Sequence, residues 1–281
     1  MSTNFEHKKS KCRVLGIFTC YNRKEKTLSC LESIVKGNTE IEFKFLAVDD
    51  ASTDGTAEAL RTLNNIEVIQ GDGTLYYSGG MRKGIAAAKE RYKNFDYCLL
   101  FNDDVEFFPK AVSRMVKIRT KEKQIIAGAT CSRTGRLSYS GVKRCSSWKP
   151  KFQTVYSENQ PMECDTFNAN CVLIPYMEFL KLPNIDKVYT HSMGDFDYGL
   201  MARQQGYIIN ATNFFVGICE ENSIEKTWQD SSLPRKIRWK LKESPKGLPL
   251  REWFHFVRKN FGIISACYSS ISPFVKILLA K

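Results

Sequence analysis

Two adjacent carboxylates, Asp103 and Asp104, follow the apolar run Tyr97-Cys98-Leu99-Leu100-Phe101 and its terminal Asn102. Their type and place suit a hard divalent cation. A continuous apolar run of this length reads as a buried strand of a parallel sheet, and open α/β sheets place ligands at the polar end of such strands. Mg²⁺ and Mn²⁺ take oxygen ligands and share them with substrate phosphates, so one or two acids are enough protein ligation. A plain polar turn after a strand has the same signature. Other segments must decide between the two.

Four more segments carry candidate chemistry. Thr19-Cys20-Tyr21-Asn22-Arg23 follows an apolar run and leads into a helix, so its backbone N–H groups and Arg23 could meet a nucleotide. Asp49 and Asp50 end a second apolar run, where a carboxylate can accept from a base N–H or a ribose hydroxyl; Asp54, in the turn beyond, reads as a structural cap. Gly71-Asp72-Gly73 and Ser78-Gly79-Gly80-Met81-Arg82 flank Tyr76 and Tyr77. The third glycine of a dinucleotide loop is absent from its offset, so this stretch reads as a flexible wall beside a nucleotide-sugar, with the tyrosines packed on the ligand or buried in the protein. Gly194-Asp195-Phe196-Asp197 opens a helix. Asp195 is either a cap or a general base for an attacking hydroxyl, and nearby His191 is a ligand or a loop residue.

The elements that must position these groups alternate. Strand-like runs at Val14 to Thr19, Phe43 to Val48, Ile66 to Gln70 and Tyr97 to Phe101 are separated by a helical face of Leu28, Leu31 and Val35, by a helix former at Thr56 to Leu63, and by the Ala- and Lys-rich Met81 to Tyr92. This βαβα order predicts an α/β fold with a mostly parallel sheet and helices on both faces. The next helix is expected from Pro109 through Val112, Met115 and Val116. Hairpin-like excursions follow between Ile125 and Val155, then an apolar stretch Phe167 to Ile174, and a helix from Asp195 to Gln205 capped by Gly206.

The chain has 281 residues, 43% hydrophobic and 26% charged, as in a soluble globular protein. Met1 to Lys11 is polar and lacks the apolar core of a secretory signal. Ten scattered cysteines, with no C-x-x-C pair, suit free thiols in a reducing cytosol. The net charge is +12, and residues 234–281 hold eleven Lys/Arg against two Glu, or +9 of it. A basic, aromatic, helical extension at 234–281 is thus set apart from a catalytic domain at 1–233. Its anionic neighbour could be nucleic acid, a membrane surface or a phosphorylated lipid. Trp253, Phe254 and Phe256 suit contact with a membrane interface equally with packing on the catalytic domain or on a second subunit, as in a homodimer.

In joint order and spacing these segments resemble the family 2 glycosyltransferases, inverting enzymes of the GT-A fold. The resemblance spans roughly residues 12 to 220 and rests on T-C-Y-N-R, V-D-D-A-S-T-D-G-T, S-G-G-M-R, F-N-D-D-V and G-D-F-D-Y-G-L. It implies a nucleoside-diphosphate sugar donor, UDP-sugar favoured, with Thr19, Arg23, Asp49, Asp50, Gly80, Arg82, Asn102 and Asp103 around it. Asp104 becomes the ligand to Mn²⁺ or Mg²⁺, and Asn102 at i shares its side if strand geometry persists to i+2, leaving Asp103 to face the ribose or sugar. Asp195 aligns with the family's catalytic base better than Asp197 does. Many relatives carry a histidine where this chain has Val216-Gly217-Ile218-Cys219-Glu220; its function is then missing, shared by Glu220 or moved to His191.

The implied reaction inverts the donor carbon while sugar passes to a hydroxyl of a glycan or lipid-linked acceptor. By the same resemblance and the basic tail, the setting is bacterial surface-polysaccharide assembly at the cytoplasmic face of the cell membrane. A metal-dependent nucleotidyltransferase would not need an acid placed like Asp195. A non-enzymatic nucleic-acid-binding protein would explain the charge but not the acids at strand ends, so nucleic acid is not the expected partner.

Overall fold

A computed structural model describes residues 11–119 and 121–279; the signal-sequence reading of residues 1–10 lies outside them. The first half runs β1 (Cys12–Cys20), α1 (Lys24–Gly37), β2 (Ile41–Asp49), α2 (Thr56–Arg61), β3 (Ile66–Gln70), α3 (Tyr76–Arg91), β4 (Tyr97–Phe101), β5 (Glu106–Phe107) and α4 (Ala111–Ile118). Then come β6 (Gln124–Cys131), β7 (Gly141–Arg144), β8 (Phe152–Val155), β9 (Met162–Cys164), β10 (Thr166–Phe167) and β11 (Cys171–Pro175). The chain continues through α5 (Tyr176–Lys181), α6 (Gly194–Gln204), β12 (Ile208–Ile218), α7 (Arg235–Lys242), α8 (Leu250–Phe261) and α9 (Ile263–Leu279).

The main sheet has the order β3-β2-β1-β4-β11-β6-β12-β5, with β9 also on β12. Strands β3, β2, β1, β4, β6 and β12 run one way, while β11, β5 and β9 run against them. The sheet is therefore mostly parallel, as the βαβα order requires. Strand order reverses beside β1, so the ends of β1 and β4 border the crevice where such sheets bind ligands. The hairpin-like stretch is in part a real hairpin, since β7 and β8 pair antiparallel and join β10 in a small second sheet.

Strand alternation divides the core. Val14 and Phe18 of β1 and Leu99 and Phe101 of β4 face the apolar layer that packs α1, α2 and α4. Leu15 and Ile17, with Cys98 and Leu100, face the layer that packs α3, α5, α6 and α8. Period two thus gives one buried strand two helical partners.

Three helix expectations shift. The buried face of α1 is Thr27, Cys30, Leu31 and Ile34, and Val35 is exposed. Helix α4 starts at Ala111, because Lys110 takes a left-handed φ of 61° while its N–H reaches the carbonyl of Gly37. Helix α3 starts at Tyr76, absorbing Gly79 and Gly80 of the stretch that read as a flexible wall, while Gly71 and Gly73 stay in the loop before it. Asp50 holds its entry, the carboxylate accepting from Gly73 (2.9 Å), Leu75 (3.3 Å) and Tyr76 (2.9 Å), while the Ser78 N–H reaches the Thr190 carbonyl (3.1 Å). Gly80 then lets α3 close on β1, where an added Cβ would lie 2.3 Å from Thr19 Oγ1.

The basic extension is distinct in composition but shares the core. Phe256 and Val257 of α8 and Ala266 of α9 are fully buried in the α3 and α6 layer, with Trp253 and Phe254 packed against it. Polar bonds add direction: Asp197 of α6 accepts from Lys259 Nζ (2.6 Å) and Asn260 Nδ2 (3.0 Å), and Glu252 accepts from the Thr190 N–H (3.1 Å). Among the described residues all ten cysteines are free, and no helix is long and apolar enough to cross a membrane.

Replacing Asp197 by alanine leaves one N–H of the buried Asn260 amide and the part-buried Lys259 ammonium without an acceptor, the other amide N–H keeping the Phe256 carbonyl. Urea unfolding of Asp197→Ala should show a loss of about 2–3 kcal/mol. A loss under about 0.5 kcal/mol would mean that apolar packing alone holds the extension.

Candidate active site

The loop after β1 is built around shared caps. Asp54 accepts from the Lys24 N–H (3.0 Å) and the Thr56 N–H (3.0 Å), so one carboxylate serves the first turns of both α1 and α2. The structural reading of Asp54 is correct. Asn22, at a left-handed φ of 50°, receives the Thr53 N–H on its side-chain oxygen (2.7 Å). This cross-bracing sets Arg23 at the head of α1, where Nη1 meets Asp104 Oδ2 at 2.9 Å and Asp103 Oδ1 at 3.4 Å.

Residues 102–105 form a turn, with the Val105 N–H 3.5 Å from the Asn102 carbonyl. Strand alternation therefore stops at Phe101, and the i, i+2 argument for Asn102 and Asp104 does not hold. Asp103 is buried against α1, accepting from Thr27 Oγ1 (2.8 Å), so it faces the helix layer rather than a ribose or sugar. Burial pushes its carboxyl up to about 6, against the pull of Arg23 and Thr27. Asp104 keeps a side chain 30% exposed and open to a ligand. The Asn102 side-chain oxygen is buried without a partner.

The residues expected from sequence to meet the nucleotide are held by the chain itself. Asp49 is buried and accepts from the Ser52 N–H (3.0 Å) and Gln70 Nε2 (2.9 Å), and Asp50 spends its oxygens on the α3 entry. Thr19 Oγ1 donates to the Val48 carbonyl (3.0 Å) beside Gly80. Arg82 Nη1 donates to the carbonyls of Asp186 and Tyr189 (both 3.1 Å).

Asp195 lies in the first turn of α6, behind the N-cap Met193. Its Oδ2 accepts from the Ala169 N–H (3.2 Å) and its Oδ1 from the Phe196 N–H (2.8 Å). Burial raises its carboxyl above the usual range, with those N–H groups opposing. The neighbouring Asn170 carbonyl accepts from the Asn102 N–H (3.1 Å), and Asn170 Nδ2 lies 3.2 Å from Cys219 Sγ. That sulfur lies 3.8 Å from Asp104 Oδ1. The two acids are thus joined through consecutive residues at the entry to β11. The buried Tyr77 phenol feels both, pushed well up by burial and then by Asp195 and Asp104.

Cys219, in the segment where the family resemblance implies a histidine, stands beside Asp104. Burial, then Asp104, pushes its thiol up to about 12, so it stays neutral. Glu220 points away and accepts the Arg133 N–H (2.7 Å). His191 stands edge-on to Tyr76 and Tyr77, both at 6.3 Å, and its Nδ1 is buried without a partner. Asn170, Thr27 and Cys219 were not candidates from sequence; the polar Asn168-Ala169-Asn170 interrupting an apolar stretch was the available signal.

Among the described residues no three His, Cys, Asp or Glu side chains cluster as a complete metal site. A part-exposed Asp104 beside a neutral thiol fits instead an Mg²⁺ or Mn²⁺ ion held by one carboxylate and completed by diphosphate oxygens.

A mostly parallel sheet with acids converging at its strand ends defines the GT-A class of sugar transferases. The chain belongs to glycosyl transferase family 2, whose model matches residues 17–170. It is similar to the mannosyltransferase PcManGT from Pyrobaculum calidifontis, solved with GDP-Man and Mn²⁺, with TM-score 0.55 and 13% identity over 97% of this chain and 74% of that one. It is also similar to residues 1–349 of TarS from S. aureus, solved with UDP-GlcNAc, with TM-score 0.55 and 14% identity over 93% and 81%. At such identities the likeness concerns the fold. No curated protein matches.

The His191 imidazole is held down from 6.5 to about 4, by burial first and then by Lys246 and Arg23. Its folded value lies below the unfolded one, so the unfolded chain takes the proton first as the pH falls. The resulting stability is present above about 6.5 and lost toward about 4. Unfolding free energy should drop by up to about 3 kcal/mol across this window on account of His191, and His191→Gln should flatten the difference in a pH series of denaturation curves.

Proposed function

We propose that this protein is an inverting glycosyltransferase that moves a sugar from a nucleoside-diphosphate donor, UDP-sugar favoured, to a hydroxyl of a glycan or lipid-linked acceptor in surface-polysaccharide biosynthesis at the cytoplasmic membrane face. The observation that carries this reading is the meeting of Asp104 and Asp195 about Ala169 and Asn170.

The acceptor oxygen attacks the anomeric carbon, the bond from that carbon to the diphosphate oxygen breaks, and its electron pair leaves with the nucleoside diphosphate. Asp195 takes the hydroxyl proton as the new bond forms. Attack opposite the departing group inverts the carbon. Mn²⁺ or Mg²⁺ held at Asp104, when bound, supplies positive charge for the departing diphosphate. Arg23, paired with Asp103 and Asp104, adds a second cation there. The raised carboxyl of Asp195 suits it for accepting a proton.

Asp195→Asn should lower kcat by about 10²- to 10⁴-fold. The variant should lose no more than about 1 kcal/mol of stability, because the amide keeps one of the two oxygens that accept the Ala169 and Phe196 N–H groups; a residue that was only a cap would show that cost with activity retained. Wild-type protein should be stabilised by UDP with Mn²⁺ and should release nucleoside diphosphate on turnover. Asp104→Asn should abolish the metal-dependent part of that thermal shift. Release of pyrophosphate, or no shift with any nucleoside diphosphate, would overturn the reading.

A further inference from the structure

Of the fifteen large apolar side chains exposed among the described residues, seven lie on α9. Ile264, Tyr268, Ile271, Val275 and Leu278 recur at steps of four and three, forming one stripe along about four turns. The opposite face, with Ser265, Ala266, Ser269 and Ile277, is buried. Exposure reaches 82% at Ile264. An apolar stripe this long on a helix already packed along its other side calls for a partner.

The surroundings of the stripe specify what kind. Near its start, Tyr268 lies 6.0 Å from the half-exposed ring of Trp148 in the β7–β8 turn, with Lys149 Nζ 4.6 Å from the Trp148 ring. Near its end, Leu278 shares a groove with Arg235, Lys236, Trp239 and Lys240, while Val275 borders another with Arg238 and Lys276. No carboxylate lines either groove, and α9 contains none. The ion pairs of the extension among the described residues involve Lys242, His255 and Lys259; Arg238 is buried, donating to the Trp228 carbonyl and acting on Asp230, so the exposed groove cations are Arg235, Lys236, Lys240 and Lys276.

We propose that α9, with Trp239 of α7 and the Trp148 turn, is a docking surface for an anionic lipid bilayer. The helix lies in the interface plane with its aliphatic stripe among the acyl chains, its two tryptophans at headgroup level, and the flanking Lys and Arg on lipid phosphates. A second copy is disfavoured by the same charges, because a two-fold interface sets each patch against itself and would bring like cations together without acids to meet them. The aliphatic character of the stripe also gives nucleic-acid bases no stacking platform.

Docking there would hold the chemistry at a fixed height. Helix α8 precedes α9 directly and grips the catalytic region through Lys259 and Asn260 on Asp197 and through Glu252 on the Thr190 N–H. The lipid-binding face and the helix bearing Asp195 therefore move as one body. The biological purpose of this surface rests on the lipid-linked acceptor reading, whereas lipid binding can be measured without turnover.

Co-sedimentation of the full chain with phosphatidylcholine vesicles, with and without roughly a third phosphatidylglycerol, tests the surface. Binding should require the anionic lipid and weaken with salt. Ile264→Glu with Ile271→Glu, and separately Lys236→Glu with Lys240→Glu, should each weaken it by about tenfold or more, while the thermal shift with UDP and Mn²⁺ stays as in wild type. Equal binding to neutral vesicles, no binding, or variants that bind like wild type would overturn the proposal. So would a dimer in light scattering that the Ile264 and Ile271 changes split, which would assign the face to a second copy. A wild type that binds vesicles but ignores every nucleoside diphosphate would count against the transferase reading and leave the docking surface standing.

Discussion

The candidate site depends on one antiparallel pairing in an otherwise mostly parallel sheet. Strand β11 runs against β4, with Cys171 opposite Phe101, so the residues that enter β11 must lie beside those that leave β4. A parallel neighbour would have brought its own exit to that place and sent its entry to the other end. The consequence is local and chemical: Asn170 meets Asn102, Ala169 meets Asp195, and a cysteine from the end of β12 fills the gap to Asp104.

Around that junction the acids are differentiated by burial and partners. Asp103 is desolvated and tied to Thr27 and Arg23, which makes it a brace for α1. Asp104, one residue on, keeps an open side toward the cleft. Asp195 is desolvated without a cation partner, and this separates it from Asp197, whose charge is matched by Lys259. Two neighbouring pairs of identical residues thus take different work, as expected where low polarity and specific partners pull carboxyl groups apart. Through the grip of α8 on Asp197 and Thr190, the basic extension supports the segment carrying Asp195.

Much of the frame was legible before any coordinates. Period-two alternation and the βαβα order were local signals that packing had no reason to override, and Gly206 ends α6 with the left-handed φ of 83° expected of a helix terminator. Asp54 read correctly because its capping partners are close in sequence or in the facing turn. The misreadings share a cause. The start of α3 depends on a cap from Asp50, more than twenty residues upstream, and the orientation of Asp103 depends on a turn that ends the strand one residue earlier than alternation assumes. Arg82 looked free to meet a diphosphate until two loop carbonyls were found to claim it.

By itself the sequence determined which residue types stood at which strand ends, because apolar periodicity and turn chemistry are encoded within a few neighbours. It also determined that positive charge collects in the last fifty or so residues. Only the tertiary structure decided which of those ends meet, that Asn170 and Cys219 stand between two acids far apart in the chain, and that Phe256 is core while Ile264 is surface. Such choices follow from strand direction and from which helix face a distant segment covers, and neither is written in any window of residues short enough to read alone.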